Sequence, residues 1–353
     1  MKIVGMDLGQ GKSAWAMLDT RTGEVARGQV YLNADALRKL LTRIGPDQLV
    51  IESGPLAARV HDLAVGIGVA TLVADATQDA WQWKNVKRKT DADDADKLVR
   101  LAALGQINPV HIPAPAVRER RHLLEYRAAL VAEQTRCKNR IRATLLLQGL
   151  KLPGGKSGWS VAARKTLAQH ARPLAECDPT ELWRGLLWTE LEHLQQVESR
   201  VATVTDKLDE LARSDAQVAR LQTIPGVGPR TAEVIVTTLD QPHRFATRRQ
   251  VAAYAGLVPR RWQSGQMDRS GRITKRGSPL LRAVLNQAAW ITMRCNPELR
   301  AFFLRLGGGQ KKRKKQAIVA VMRKLLVIAW ALLRDRTTYQ ATRLRTRVAK
   351  PAA

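Results

Sequence analysis

The sequence runs to 353 residues, with 59 Lys and Arg against 31 Asp and Glu, a formal net charge of +28 and a pI near 11.0. That length exceeds one ordinary domain, and a chain this basic is expected to meet a polyanion, nucleic acid being the commonest. A hydrophobic fraction of 45% gives it real cores, which argues against a ribosomal or chromatin protein. Cys137, Cys177 and Cys295 lie far apart with no C-x-x-C spacing, and the six histidines include no H-E-x-x-H. These spacings argue against a disulfide framework and against zinc, and suit a reducing cytoplasm. The start MKIVGMDLGQG lacks the apolar stretch of a signal peptide. QAIVAVMRKLLVIAWALL is interrupted by Arg323 and Lys324, so it reads as a core helix and no membrane partner is expected.

In chain order, KIVGMDL, SAWAMLD and GEVARGQVYL read as three strands of an antiparallel meander. DALRKLLTRIG has helical spacing, and DQLVIESG reads as a buried strand closing on Glu52 and Gly54. A helix around LAARVHDLAVGIG, a strand ATLVAD and helical segments through residue 104 follow. The order βββαβαβα predicts an α/β ribonuclease-H-like (RuvC-like) domain over 1–108. Long charged helices over about 115–150 and 180–213, joined by the Pro- and Gly-containing loop KLPGGKSGWS, predict a coiled-coil arm over 109–214, a spacer or an oligomerisation surface. From 215 to 353 a mostly α domain is expected. In LQTIPGVGPRTAEVIVTTL, Pro225, Gly226 and Gly228 make a helix-hairpin-helix-like turn. Its glycines would let backbone N–H groups face a phosphate at a helix N-terminus. Near the end, LGGGQKKRKKQ reads as a flexible tether beside Lys311, Lys312, Arg313, Lys314 and Lys315, a phosphate-neutralising run.

KTDADDADKL sets four aspartates in six positions of this basic chain. On a helix, Asp91 and Asp94 share the face that continues into Leu98, Leu101 and Ala102, so they are expected to point to the sheet. Asp93 and Asp96 are expected to face water as helix-capping surface groups. Two carboxylates facing a core are costly without a cation. Asp7, ending the first strand, and Glu52, ending the fourth, would lie on adjacent strands of such a sheet. The four acids would then converge into an oxygen-rich site suited to Mg²⁺ or Mn²⁺, the chemistry of phosphate displacement.

A second cluster lies in VPRRWQSGQMDRSGRITKRGSP, where Arg260, Arg261, Arg269, Arg272 and Lys275 surround serines. A serine in such a stretch is ordinarily a turn residue. A hydroxyl among guanidiniums is also what a covalent phosphoserine step requires, with the arginines holding the phosphate. Ser264, Ser270 and Ser278 all qualify by spacing.

With these residues in hand, the sequence resembles the DEDD-type transposases, or recombinases, of the insertion-sequence-110 family. GMDLG, VIESG and KTDADDA resemble its RuvC-like blocks. LQTIPGVGPRTA and FATRRQVAAYAGLVPRRWQSGQ with ITKRGSPLLRAVL resemble its C-terminal transposase domain. The resemblance implies metal-binding acids at Asp7, Glu52, Asp91 and Asp94, and a nucleophilic serine in P-R-R-x-x-S-G, which is Ser264. It further implies strand cleavage and exchange on donor and target DNA through a 5′-phosphoserine bond with Mg²⁺. A non-coding bridge RNA would act as guide, and a dimer to tetramer would let the acids of one protomer meet the serine of another, in the cytoplasm at the nucleoid. One position departs from the pattern: many members carry Lys three residues after the first Asp, where this chain has Gln10, with Lys12 nearest. Two other functions fit the same residues: a metal-only nuclease of the Holliday-junction-resolving type, and a non-catalytic nucleic-acid-binding protein.

Overall fold

The computed structural model describes residues 1–75, 90–265, 267–307 and 309–341. The chain divides into two compact units, Met1–Ala114 and Pro115–Ala353.

In the first unit, β1 (Lys2–Asp7), β2 (Lys12–Asp19) and β3 (Val25–Tyr31) form the antiparallel meander. β4 (Gln48–Glu52) and β5 (Ala70–Ala74) then add in parallel to give the order β3-β2-β1-β4-β5. That is the sheet of the ribonuclease-H-like fold, as expected from the element order. α1 (Ala34–Ile44) starts where the Asn33 side chain accepts from the Ala36 N–H and ends at Gly45, in the left-handed region at φ 59°. Its buried leucines cover one sheet face with α2 (Ala57–Gly66), over Val4, Met6, Leu49 and Ile51. The opposite face carries small side chains, Ala14, Ala16, Val50 and Ala74, beneath α3 (Asp91–Ala103). The helical segments expected ahead of α3 fall on residues 76–89, outside the described residues.

In the second unit, α4 (Pro115–Leu147) and α6 (Leu182–Arg213) pair along their length as the arm, around Cys137, Ile141, Leu145, Leu187 and Leu194. The long helices are where sequence periodicity put them. The connection also holds a helix the sequence reading left out, α5 (Val161–His170), capped by Ser160. The base of the arm is tied into the rest of the unit by ions. Arg120 of α4 donates to Asp215 at 2.6 Å and to the fully buried Glu233 at 2.9 Å.

Beyond the arm come α7 (Ala216–Gln222), α8 (Pro229–Leu239), α9 (Arg248–Tyr254), α10 (Pro279–Cys295), α11 (Pro297–Arg305) and α12 (Lys314–Asp335). α12 is long and apolar enough to cross a membrane by composition, yet Val321, Leu325, Leu326 and Ala329 are wholly buried in the core formed with α7 to α10. It packs as the core helix its interrupted sequence suggested. The domain is mostly α, with Pro259–Ser264 and Met267–Ile273 adding a two-stranded hairpin, β6 and β7. In the basic run, Lys311, Lys312 and Arg313 form a turn, and Lys314 and Lys315 open α12.

Candidate active site

Alternation along β1 and β4 decides where the first two acids point. Ile3 and Val50 pack under α3, while Val4, Met6, Leu49 and Ile51 pack on the other face. Asp7 and Glu52 are in phase with Ile3 and Val50, so both face α3. The parallel register runs Ile3–Gln48 to Met6–Ile51, and its next step sets Asp7 beside Glu52, both half-buried. α3 lies unusually close here. A Cβ on Gly5 would stand 2.5 Å from the Ala95 carbonyl oxygen and 2.7 Å from Val99 Cγ2, so only glycine at this point of β1 lets the helix settle. The residue before Ala95 is Asp94, 5% exposed.

The inner stripe of α3 is thus Asp94, Ala95, Leu98 and Val99. Asp94 turns inward as the helical wheel requires. Asp91 does not follow it: as the first residue of α3 it is exposed. Of the other two aspartates, Asp93 keeps the expected capping role and Asp96 does not. Asp93 is half-buried and accepts from Thr90 Oγ1 at 2.6 Å, while the Thr90 side chain caps the Asp93 N–H, so Asp93 belongs to the helix cap. Asp96 is half-buried. It receives Arg27 Nε of β3 at 2.9 and 3.0 Å, a cross-link of helix to sheet that no local sequence signal announces. Lys12, the lysine nearest the site in sequence, holds its ammonium 5.0 Å from the centre of the Tyr31 ring, and Gln10 is exposed.

Ser264 ends β6 at the tip of the hairpin, paired with Met267, and Gly265 follows in the left-handed region at φ 56°. All of β6 is exposed. Along the pleat, Trp262 and Ser264 share one face with Met267, Arg269 and Gly271. Arg261, Gln263, Asp268, Ser270 and Arg272 occupy the other. Arg261 grips Asp268 through two bonds of 2.9 and 2.6 Å; this pairing raises the pKa of the guanidinium and lowers that of the carboxyl. Arg260, Arg269, Arg272 and Lys275 are exposed. The three serines therefore have distinct settings. Ser264 is at the tip, Ser270 lies mid-strand on the opposite face, and Ser278 caps α10 by accepting from the Leu281 N–H at 3.2 Å.

Residues 4–148 match a DEDD-type IS110 family described as Transposase, and residues 218–304 match the family described as Transposase IS116/IS110/IS902 family. A Sinorhizobium fredii protein named as transposase y4rJ is 30% identical over 84% of this chain and 80% of its own. The chain belongs to the IS110 family of transposases. It is accordingly a DNA transposase, an enzyme of insertion-sequence recombination. This transposase is also 37% identical to the pilin gene-inverting protein of Moraxella lacunata, over 33% of its length and 36% of the relative. Among solved structures, Thermus thermophilus RuvC is similar over 31% of this chain and all of the other, at 13% identity and a TM-score of 0.24.

Elsewhere in the transposase, Pro225 to Gly228 form the expected hairpin between α7 and α8, with Gly226 at φ 90°. Its packing is specific: a Cβ on Gly226 would stand 2.6 to 2.8 Å from atoms of Thr292 in α10. Gly226 thus seats the hairpin on the core, whereas Gly228, at the N-cap of α8, is exposed. At the start of α8, Arg230 pairs with Asp209 and with Glu233, so its charge is already engaged. Burial raises the pKa of Glu233 even though Arg120 and Arg230 face it. Lys314 lies 5.3 Å from the Trp290 ring, so the start of α12 joins cations to an exposed aromatic.

Proposed function

We propose that this transposase cleaves and rejoins DNA through a serine–phosphate intermediate, with Asp7, Glu52, Asp94 and Asp91 holding a divalent cation. The observation that carries the reading is the set of half-buried and buried carboxylates, Asp7, Glu52 and Asp94, turned to one side of the sheet at adjoining strand ends and under one helix. An all-carboxylate donor set suits Mg²⁺ or Mn²⁺. When bound, such a cation neutralises charge on phosphate and lowers the pKa of an attacking hydroxyl. Asp91 would join from the first turn of α3 as an exposed, adjustable ligand.

In the cleavage step, Ser264 Oγ forms a bond to phosphorus, the bond from phosphorus to the 3′ oxygen breaks, and the serine proton ends on the released 3′-hydroxyl. The product is a 5′-phosphoserine. Attack by a different 3′-hydroxyl reverses the step and returns the proton to Ser264, so exchange needs no external energy source. Among the described residues Arg260 and Arg269 have no carboxylate partner, and they supply charge for the phosphate. Arg261, held by Asp268, braces the hairpin, and Arg272 and Lys275 extend its basic surface.

Residues 109–214, nearly all of them in the second unit, act as an oligomerisation arm and 215–353 as the transposase domain proper. Gly226, Gly228 and Pro225, with Lys311, Lys312, Arg313, Lys314 and Lys315, serve donor and target DNA or a guiding bridge RNA. Base pairing carries specificity and the protein reads backbone and shape. The working form is a homo-oligomer, dimer to tetramer, in the bacterial cytoplasm. A metal-only nuclease is the second reading, because a carboxylate-held cation activates water for phosphodiester cleavage without any serine.

Asp7→Asn, Glu52→Gln and Asp94→Asn test the acid site. Each is expected to cut Mg²⁺-dependent strand cleavage by about a thousandfold or more while keeping salt-sensitive DNA binding. Cleavage at wild-type rate in Asp7→Asn or Asp94→Asn would overturn the metal reading.

A further inference from the structure

Trp262 stands out on the hairpin. It is 51% exposed on a strand that is exposed throughout, although Trp is highly buried on average. The ring nevertheless has a defined seat. A Cβ on Gly271 would stand 2.6 Å from Trp262 Cζ3 and 3.0 Å from Cη2, so the indole lies over the neighbouring strand at the one residue lacking a side chain. The ring rests on the ribbon and still leaves about half of the residue exposed, at 51%. Arg269 is its cross-strand partner, and Met267, 47% exposed, sits at the tip on the same face. Ser264 is two residues along that face. A two-residue step on a strand spans about 6.8 Å, roughly twice the 3.4 Å rise per base along a nucleic-acid strand.

A flat apolar ring, a cation and a serine hydroxyl on one face call for a ligand that offers flat rings and negative charge together. A nucleic-acid strand supplies both at one regular spacing. We propose that Trp262 is a base-stacking residue: it holds a nucleobase within two nucleotides of the phosphate attacked by Ser264, fixing the strand against the hydroxyl. This inference rests on Ser264 being the nucleophile. Stacking takes a base by its face, out of the duplex stack, and is indifferent to base identity. Removing a stacked aromatic weakens the affected state by roughly 5- to 100-fold.

The test uses the full-length transposase, with its guide RNA where cleavage needs it. The DNA probe is a duplex of the element's end and flank, with 2-aminopurine placed in turn at each position around the cleaved phosphate. In the Ser264→Ala background, binding is expected to change fluorescence at one or two adjacent positions. That change should vanish in Ser264→Ala/Trp262→Ala and persist in Ser264→Ala/Trp262→Phe. With Ser264 intact, Trp262→Ala should cleave roughly 5- to 100-fold more slowly and Trp262→Phe should recover most of the rate. An abasic site at the reporting position should slow the wild type and leave Trp262→Ala unaffected. An unchanged fluorescence profile in Trp262→Ala would overturn the proposal, as would a rate loss accompanied by a changed oligomeric state, which would assign the face to a second copy of the chain. Covalent adduct formation by Ser264→Ala would instead sink the serine reading, since the fluorescence arm does not use the hydroxyl.

Discussion

A single methyl group at Gly5 would meet the backbone of α3, 2.5 Å from the Ala95 carbonyl oxygen. A backbone atom in the middle of a helix cannot yield as a side-chain tip can, so α3 would have to lift from β1. Gly5→Ala is therefore expected to cost about 1–3 kcal/mol and to displace Asp94, the neighbour of Ala95. Urea midpoints and cleavage rates of that variant would show both losses; wild-type stability would mean that α3 does not rest on Gly5. At this same scale the acids were unevenly legible. Asp7 and Glu52 could be read because each closes an apolar strand run, and Asp94 because it heads a helical stripe. Asp91 could not, because a wheel has no ends: it gives the phase of a residue but not whether the sheet still lies beneath it. The Arg27–Asp96 link was invisible because its partners are 69 residues apart.

Among elements, the arm shows what pattern reading can and cannot supply. The two long helices follow from periodicity, whereas α5 is short and emerges only through its Ser160 cap. The hairpin of β6 and β7 was missed for a physical reason. A ribbon exposed on both faces has no apolar alternation, and the Trp262, Ser264 and Arg269 face became apparent only from the register. Within the arm, Glu133 of α4 accepts from Arg136 and Arg140, which hold its pKa down at about 2 against an ordinary 4.5. A carboxyl made more acidic by folding stabilises the folded state above the unfolded pKa, and that contribution disappears as pH falls through the folded one. Glu133→Gln is thus expected to be less stable than wild type at neutral pH, the gap in urea midpoint closing from about pH 4.5 down to about 2. A gap independent of pH would show that these contacts matter only as packing.

For the whole molecule, the net charge of +28 is the most readable feature and the least specific. If six to ten phosphates are neutralised, affinity for DNA should fall about a thousandfold or more between about 50 and 200 mM salt. A flat dependence, followed by filter binding or anisotropy, would remove nucleic acid as the reason for the charge. Composition anticipated a polyanion partner, and element order anticipated the ribonuclease-H-like sheet. The matches to both transposase families then fixed what kind of enzyme the chain is. Assigning chemistry to particular side chains needs a covalent product. The measurement is mass mapping of the protein–DNA adduct trapped during cleavage, in wild type and in Ser264→Ala, Ser270→Ala and Ser278→Ala. The expected result is one nucleotide-bearing peptide containing Ser264, lost only in Ser264→Ala, with Ser278→Ala forming the adduct despite about 0.5–2 kcal/mol of lost helix capping. An adduct that survives in Ser264→Ala, or that maps to Ser270 or Ser278, would contradict the assignment of Ser264 as the nucleophile.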